Sequence, residues 1–438
     1  MNANTSAKAP DLPIGAYLGW DWADEKHDLC LRLPGEKSGS HTVIKNTPEV
    51  IHGYLQKLHQ QFPEKRIVLS IEAARSALAP IFEEYASWLV LYEINPMAMS
   101  KYRQALHPSG VKSDAIDCAL LADIVISHPE QLHVHIPLDA QSLEIRTFSE
   151  DRRKLVDRRT ALANELKSQL KGYYPQALGF IGDDTTQPFA PAFLLKWPSL
   201  EALQRAKPQA IRKFCLAHQR RLTEGLKKCL DALPGAQAPS QRPCRVEPAA
   251  CYVQALAREL QSLHASIRSY DQMLAARVAE HPACRLLAEL PGAGPVLRAR
   301  LLAVLGQPAA LQGCGPAPYK NADDLAVITG IAPVQRGSGK TQVTLCRAAF
   351  SLFPHQTFME YAKQSVLFCP WARAFVEHKT GQGWKYWRII RALAFKWIRI
   401  LVAVMRSGVA YDENKYVKHL LEKHCPYMTA QSSPTPSK

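Results

Sequence analysis

Asp114 and Asp117 stand three residues apart in "KSDAIDCALLAD" (112–123), where the spacing predicts a helix. Two exposed carboxylates one turn apart repel by roughly a few tenths of a kcal/mol. A divalent cation held between them turns that repulsion into chelation. Two more acids lie at the ends of predicted strands: Asp21 near the end of "IGAYLGWDWA" and Glu72 at the end of "RIVLSIE". A sheet that sets those strands side by side, with the helix over their ends, gathers all four carboxylates. Oxygen donors of this kind suit Mg²⁺, a hard cation that keeps some of its waters. One or two such ions can activate an attacking oxygen and stabilise a leaving one in phosphodiester chemistry.

A second chemical string lies far downstream. "GIAPVQRGSGK" (330–340) sets Ser338 between Gly337 and Gly339, flanked by Arg336 and Lys340. The glycines permit unusual backbone angles and close approach of a phosphate. The two cations can hold that phosphate and stabilise developing charge. A serine placed this way can attack phosphorus and form a phosphoserine. Taken alone, the string reads better as a simple Ser-Gly turn. "LPGAGPVLRARLLAVLG" (290–306) reads as a helix-hairpin-helix element. Gly292 and Gly294 make its hairpin, and the next helix offers backbone N–H groups to a phosphate. "GWKYWRIIRALAFKWIRI" sets Trp384, Trp387 and Trp397 among cations including Arg391 and Lys396. That mixture suits nucleic acid, or equally a core helix with snorkelling charges.

These residues need elements to position them. Strands are predicted at 14–23, 27–33 and 40–46, then a helix after Thr47 and Pro48, with Val50, Ile51, Tyr54, Leu55 and Leu58 on one face. Strand, helix, strand and helix follow at 66–73, 78–87, 88–95 and 112–127. This order predicts an α/β domain of ribonuclease-H-like type over 13–140, after a flexible 1–12. Residues 141–282 read as a helical, coiled-coil region. Leu155, Leu162, Leu166 and Leu170 stripe its first helix, "YYPQALGFIGDDTTQPFAPAFLLKWPSL" loosens it, and 233–248 is a Pro-rich break. From Val253 to Leu274 a heptad seam suits a helical hairpin, an intersubunit coiled coil, or one helix packed on its own domain. A mainly α C-terminal domain covers 283–411, and 412–438 is a tail whose end, "MTAQSSPTPSK", is expected to be disordered.

Charge divides along the same lines. Residues 1–140 hold 12 Lys/Arg against 17 Asp/Glu, a net of −5, and the remainder holds 42 against 22, a net of +20. An acidic head on a basic body points to metal chemistry in front and polyanion binding behind. The eleven cysteines form no Cys-x-x-Cys pair, which argues against a zinc knuckle or a thioredoxin-like motif. Their odd count and the absence of a signal-peptide pattern predict a reduced, cytoplasmic setting. The most apolar window, 387–405, carries four Lys/Arg and makes a poor membrane span.

Taken in order, "LGWDWADEKHD", "SIEAA", "KSDAIDCALLAD", "LPGAGPVLRARLLAVLG", "GIAPVQRGSGK" and "QTFMEYAKQS…WARAF…RALAFKWIRIL" resemble one group over about 14–410. These are the transposases of bacterial insertion sequences that join an N-terminal DEDD, RuvC-like domain to a C-terminal serine domain, also called bridge-RNA-guided recombinases. The resemblance implies Asp21, Glu72, Asp114 and Asp117 as Mg²⁺ ligands and Ser338 as the nucleophile that bonds to DNA. It implies a coiled coil between the domains, dimers pairing into a tetramer, a structured guide RNA, and a cytoplasmic place at the nucleoid. Many relatives carry a lysine soon after the first Asp; here it is Lys26, after "WADE". Two other functions compete with DNA strand transfer. One is a Mg²⁺-dependent nuclease of Holliday-junction type that uses water. The other is a non-catalytic nucleic-acid-binding protein.

Overall fold

The computed structural model describes residues 12–72, 78–107, 113–132, 134–218, 221, 223–306, 311, 319–338, 341–347 and 350–429. The expectations for residues 1–11 and 430–438 lie outside this set. Five strands form one mixed sheet: β1 (Ile14–Asp21), β2 (Lys26–Arg32), β3 (Ser40–Lys45), β4 (Arg66–Glu72) and β5 (Leu89–Ile94), in the order β3-β2-β1-β4-β5. β1 pairs antiparallel with β2 and parallel with β4, with Trp20 opposite Ile71. Ala16, Leu18, Trp20, Ile67, Leu69 and Ile71 are buried against α1 (Pro48–Gln61) and α2 (Ala79–Glu83). Such two-sided burial explains the near-continuous apolar run of β4.

The opposite face is covered by α3 (Pro96–Leu106) and α4 (Asp114–Ser127). α3 is an addition to the expected element order. Asn95 caps it and Pro96 opens it, but Met99 is its one buried side chain, so its apolar periodicity is faint.

The outer edge of β5 is closed by a short return of the chain. Val134 bridges Tyr92, and the His135 N–H donates to the Leu91 carbonyl at 2.7 Å. The His135 ring is held by Glu83 at 2.7 Å and faces Glu93 at 3.7 Å. Burial opposes its charge, but the two carboxylates overcome burial and push its pKa up from 6.5 to about 9. The folded pKa is the higher one. The stabilisation is therefore complete below about pH 6.5 and is lost as pH rises through about 9. By linkage it amounts to about 3 kcal/mol at most. Urea unfolding of the parent and of His135→Gln should show a gap of that order near pH 6 that closes toward pH 10; a gap independent of pH would contradict it.

Packing divides the chain into two compact units, Met1–Leu143 with His281–Lys438, and Glu144–Glu280. At the crossing, Ser142 Oγ lies 3.0 Å from His281 Nε2. The His281 Nδ1 accepts from the Ala283 N–H, which leaves Nε2 to donate to the serine.

Within the second unit, α5 (Ala140–Tyr173) and α11 (Pro243–Glu280) run antiparallel. Arg152 meets Asp271 at 2.5 Å, Arg158 meets Glu259, and Phe148 packs edge-on to Tyr270. The seam residues Val253, Leu256, Leu260, Leu263, Ile267 and Leu274 are buried within the chain. Between these helices lie α6 (Gln176–Ile181), α7 (Phe189–Lys196), α8 (Leu200–Gln204), α9 (Pro208–Ala217) and α10 (Glu224–Ala232). The expected loose segment is thus helical, and its Phe180, Phe189, Phe193 and Trp197 supply much of the unit's core. The Pro-rich break is shorter than expected. α11 starts at Pro243 and runs through Pro248, where a lost backbone bond falls near the helix start.

The C-terminal part of the first unit is mainly helical: α12 (Pro282–Leu286), α13 (Pro295–Leu305), α14 (Ala322–Ile328), α15 (Leu352–Phe368), α16 (Pro370–Gly381), α17 (Tyr386–Ser407), α18 (Glu413–Glu422) and α19 (Pro426–Thr429). Helix therefore continues past residue 411, where a tail was expected. Trp371, Trp397 and Tyr361 are fully buried in this part. Within the 330–340 string, β6 (Val334–Ser338) pairs antiparallel with β7 (Thr341–Leu345), which follows it. No helix among the described residues is long and apolar enough to cross a membrane.

Candidate metal centre and serine hairpin

Gly19 is the residue that lets the acids meet. A Cβ built there would lie 1.9 Å from the Cys118 carbonyl oxygen and 2.7 Å from the Ala122 nitrogen. With hydrogen in its place, the α4 backbone rests directly on β1. Ser70 on β4 fixes the same contact, its hydroxyl donating to the Leu121 carbonyl at 2.6 Å. Asp123 ties the far side of α4 to Arg32 at 2.8 Å and to the Tyr102 hydroxyl at 2.5 Å.

These contacts bring the first turn of α4 to the ends of β1 and β4. Asp21 and Glu72 end adjacent parallel strands, and Asp114 and Asp117 lie in the first helical turn. The helix dipole favours acids there, which offsets part of their mutual repulsion. Asp21 reports the convergence. Its pKa rises from 3.8 to about 6, through burial first and then the charges of Asp117, Asp114, Glu72 and Asp28. Asp21 therefore lies within electrostatic reach of the other three expected acids.

Three further residues belong to this neighbourhood. Asp28 faces Asp21 across the β1–β2 pair and is held by His41 at 2.7 Å. Lys26, the lysine after "WADE", reaches the other oxygen of Asp28 at 3.7 Å. Arg103, on α3, donates to the buried Asp117 at 2.6 Å. The β-hairpin register could have pointed to Asp28; nothing in the local sequence marks Arg103.

The donor set is all carboxylate oxygen and carries excess negative charge, which fits a hard divalent cation. Spacing is the opposing observation. Among the described residues, no three His, Cys, Asp or Glu side chains close to ligand distance. The Asp21 shift and this spacing agree once reach is considered, because Coulombic repulsion acts over longer distances than coordination. A cation would have to draw the carboxylates inward and compete with the Arg103 guanidinium for Asp117.

Ser338 lies on a different sheet. It is the last residue of β6, opposite Thr341, at the end of the ladder away from the Val334–Leu345 pair. Gly339, Lys340 and the side chains of Arg336 and Ser338 lie outside the described set. Gly292 and Gly294 occupy the turn before α13. Gly292 has φ +73° and packs so closely on Phe368 that a Cβ would come within 2.7 Å of its ring. Leu290, both glycines, Arg298, Gln364 and Phe368 line an open groove of about 550 Å³. Arg391 reaches Cys346 Sγ, just past β7, at 2.5 Å. Lys396 turns away from solvent, over the Phe375 and Tyr427 rings, and donates to the Tyr427 hydroxyl at 3.2 Å. Burial lowers its pKa. Trp397 is a core residue that donates to Ser365 at 2.8 Å.

A mixed five-stranded sheet with acids at adjacent strand ends is the layout of a ribonuclease-H-like domain. Residues 18–175 match the DEDD domain of IS110-type proteins, described as Transposase, and 284–377 match the family described as Transposase IS116/IS110/IS902. With both domains present in that order, the chain belongs to the IS110/IS116/IS902 transposase family. Among its relatives is the mini-circle protein for IS117 of Streptomyces coelicolor, 26% identical over 75% of this chain and 78% of the relative. The 42 kDa protein of insertion element IS900 from Mycobacterium paratuberculosis is 27% identical over 68% and 73%. The 43.6 kDa protein of insertion element IS110 from Streptomyces coelicolor is 22% identical, over 91% and 96%.

Proposed function

We propose that this chain is the enzyme that cuts and rejoins DNA strands to move an insertion sequence. The observation that supports this reading is geometric: Asp21 and Glu72 end adjacent parallel strands with the first turn of α4, and its Asp114 and Asp117, over them, in keeping with the raised pKa of Asp21. In this reading Asp21, Glu72, Asp114 and Asp117 hold Mg²⁺, which when bound supplies positive charge to phosphodiester oxygens. Arg103 on Asp117, and Lys26 near Asp28, offset part of the negative charge there before a metal binds. The Ser338 hydroxyl attacks phosphorus; its O–P bond forms as a strand O–P bond breaks, and a new strand end reverses the step. Arg336 and Lys340 stabilise the phosphoryl charge. The turn at Gly292 and Gly294, with the α13 N-terminus, steadies the DNA backbone as a helix-hairpin-helix would. Arg391 supports the hairpin base, whereas the buried setting of Lys396 favours packing over phosphate contact.

Sequence choice in this reading falls to a structured guide RNA. Dimers pairing into a tetramer would let one protomer's serine work beside another's acids. The basic excess of 141–438 supports polyanion binding, and a cytoplasmic site at the nucleoid follows from the substrate. The test is a denaturing gel of reactions with labelled element-end DNA. The parent should give a covalent protein–DNA band, and Ser338→Ala should give none. Cleavage without any such band would instead identify a water-using nuclease of junction-resolving type.

A further inference from the structure

The start of α17 carries an aromatic surface that neither the acids nor the serine explain. Tyr386 and Trp387 are 47% and 59% exposed and meet edge-on at 5.2 Å. Trp384 beside them is already engaged, with Lys379 at 4.6 Å and Arg388 at 4.0 Å from its ring. From His378 to Tyr411 the sequence has seven Lys/Arg and no Asp or Glu. Some of those cations are committed elsewhere: Arg399 to Asp323, Arg406 to the Lys320 carbonyl, and Lys396 to buried rings. Arg391 reaches Cys346, Lys379 and Arg388 lie over the Trp384 ring, and Lys385 immediately precedes Tyr386 in the chain.

An exposed indole next to a tyrosine would also suit a protein partner. Three neighbouring cations, with no acid among them, argue against an ordinary apolar interface, whose centre is depleted of charge. They complement a polyanion whose bases have a π face to offer. We propose that Trp387 and Tyr386 form a stacking platform for an unpaired base of single-stranded DNA, with Lys379, Lys385 and Arg388 beside the flanking phosphates. The inference rests on the reading of this chain as a DNA-cutting and rejoining enzyme, since such a reaction frees single strands. DNA is chosen over RNA because the strands that this reaction frees are DNA.

Fluorescence anisotropy of the full chain tests this with three labelled strands of equal length: oligothymidylate, oligouridylate and an abasic strand with the same phosphates. Trp387→Ala should weaken oligothymidylate binding by about tenfold and leave the abasic strand unchanged, while Trp387→Phe stays close to the parent. Trp387 is exposed, so both variants should fold, and matching thermal unfolding would establish that. Unchanged oligothymidylate binding by Trp387→Ala would overturn the proposal. An equal loss on the abasic strand would do so too, because the contact would then be charge alone. A loss confined to oligouridylate would overturn it in favour of RNA. A parent chain that binds no DNA of any form would instead sink the underlying function.

Discussion

Strand exchange by the Asp21→Asn protein is expected to fall at least about a thousandfold, as for other catalytic substitutions, while the protein itself becomes harder to unfold. Both effects come from one arrangement. Asp21 is forced into the field of Asp114, Asp117, Glu72 and Asp28, which with burial lifts its pKa to about 6. The folded value is above the unfolded one. In metal-free buffer the carboxylate therefore costs stability once pH exceeds about 6, and costs nothing below its unfolded value. Solvent screening of this partly exposed group reduces the gain from asparagine to about 1 kcal/mol. The check is thermal unfolding in chelator at about pH 7.5 and about pH 4, beside a recombination assay in Mg²⁺. A variant that recombines normally would remove Asp21 from the metal centre; one that loses activity and also stability would show only a damaged fold.

Gly19→Ala is expected to have the largest structural effect of any single methyl group added to the sheet. The new carbon would sit 1.9 Å from the Cys118 carbonyl oxygen, against backbone that has no rotamer to yield. Either β1 or α4 must move. Overpacking of this kind costs about 3 kcal/mol or more. Moving α4 would also withdraw Asp114 and Asp117 from Asp21. The variant should therefore show a clearly lowered midpoint in urea together with lost recombination, and its residual folded fraction should be inactive. Retained stability would mean that α4 does not rest on β1 as described.

Much of this site was legible in the sequence because its acids lie at the ends of strongly patterned elements. β1 and β4 are apolar runs that stop at Asp21 and Glu72, and Ser113 precedes the helix that starts at Asp114. Other parts obeyed tertiary rules that a local reading does not contain. α3 buries one side chain and exists to carry Tyr102 and Arg103 onto α4. The proline- and glycine-punctuated stretch after Tyr173 reads as a loop, yet its aromatics fill a core made by distant helices. Trp384, Trp387 and Trp397 look alike in sequence. Only packing separates a ring held by cations, an exposed one and a fully buried one. Arg103 shows the general difficulty: a counter-charge is chosen by space, and its sequence position carries no mark of the partner.

The hydrogen bond between Ser142 and His281 has an architectural consequence. It joins, within the first unit, the two chain positions that flank residues 144–280. An insertion whose two ends already touch is a cassette. Its length can vary while the flanking backbone stays joined, so the inserted unit and the unit that carries the acids and the serine are free to diversify at separate rates.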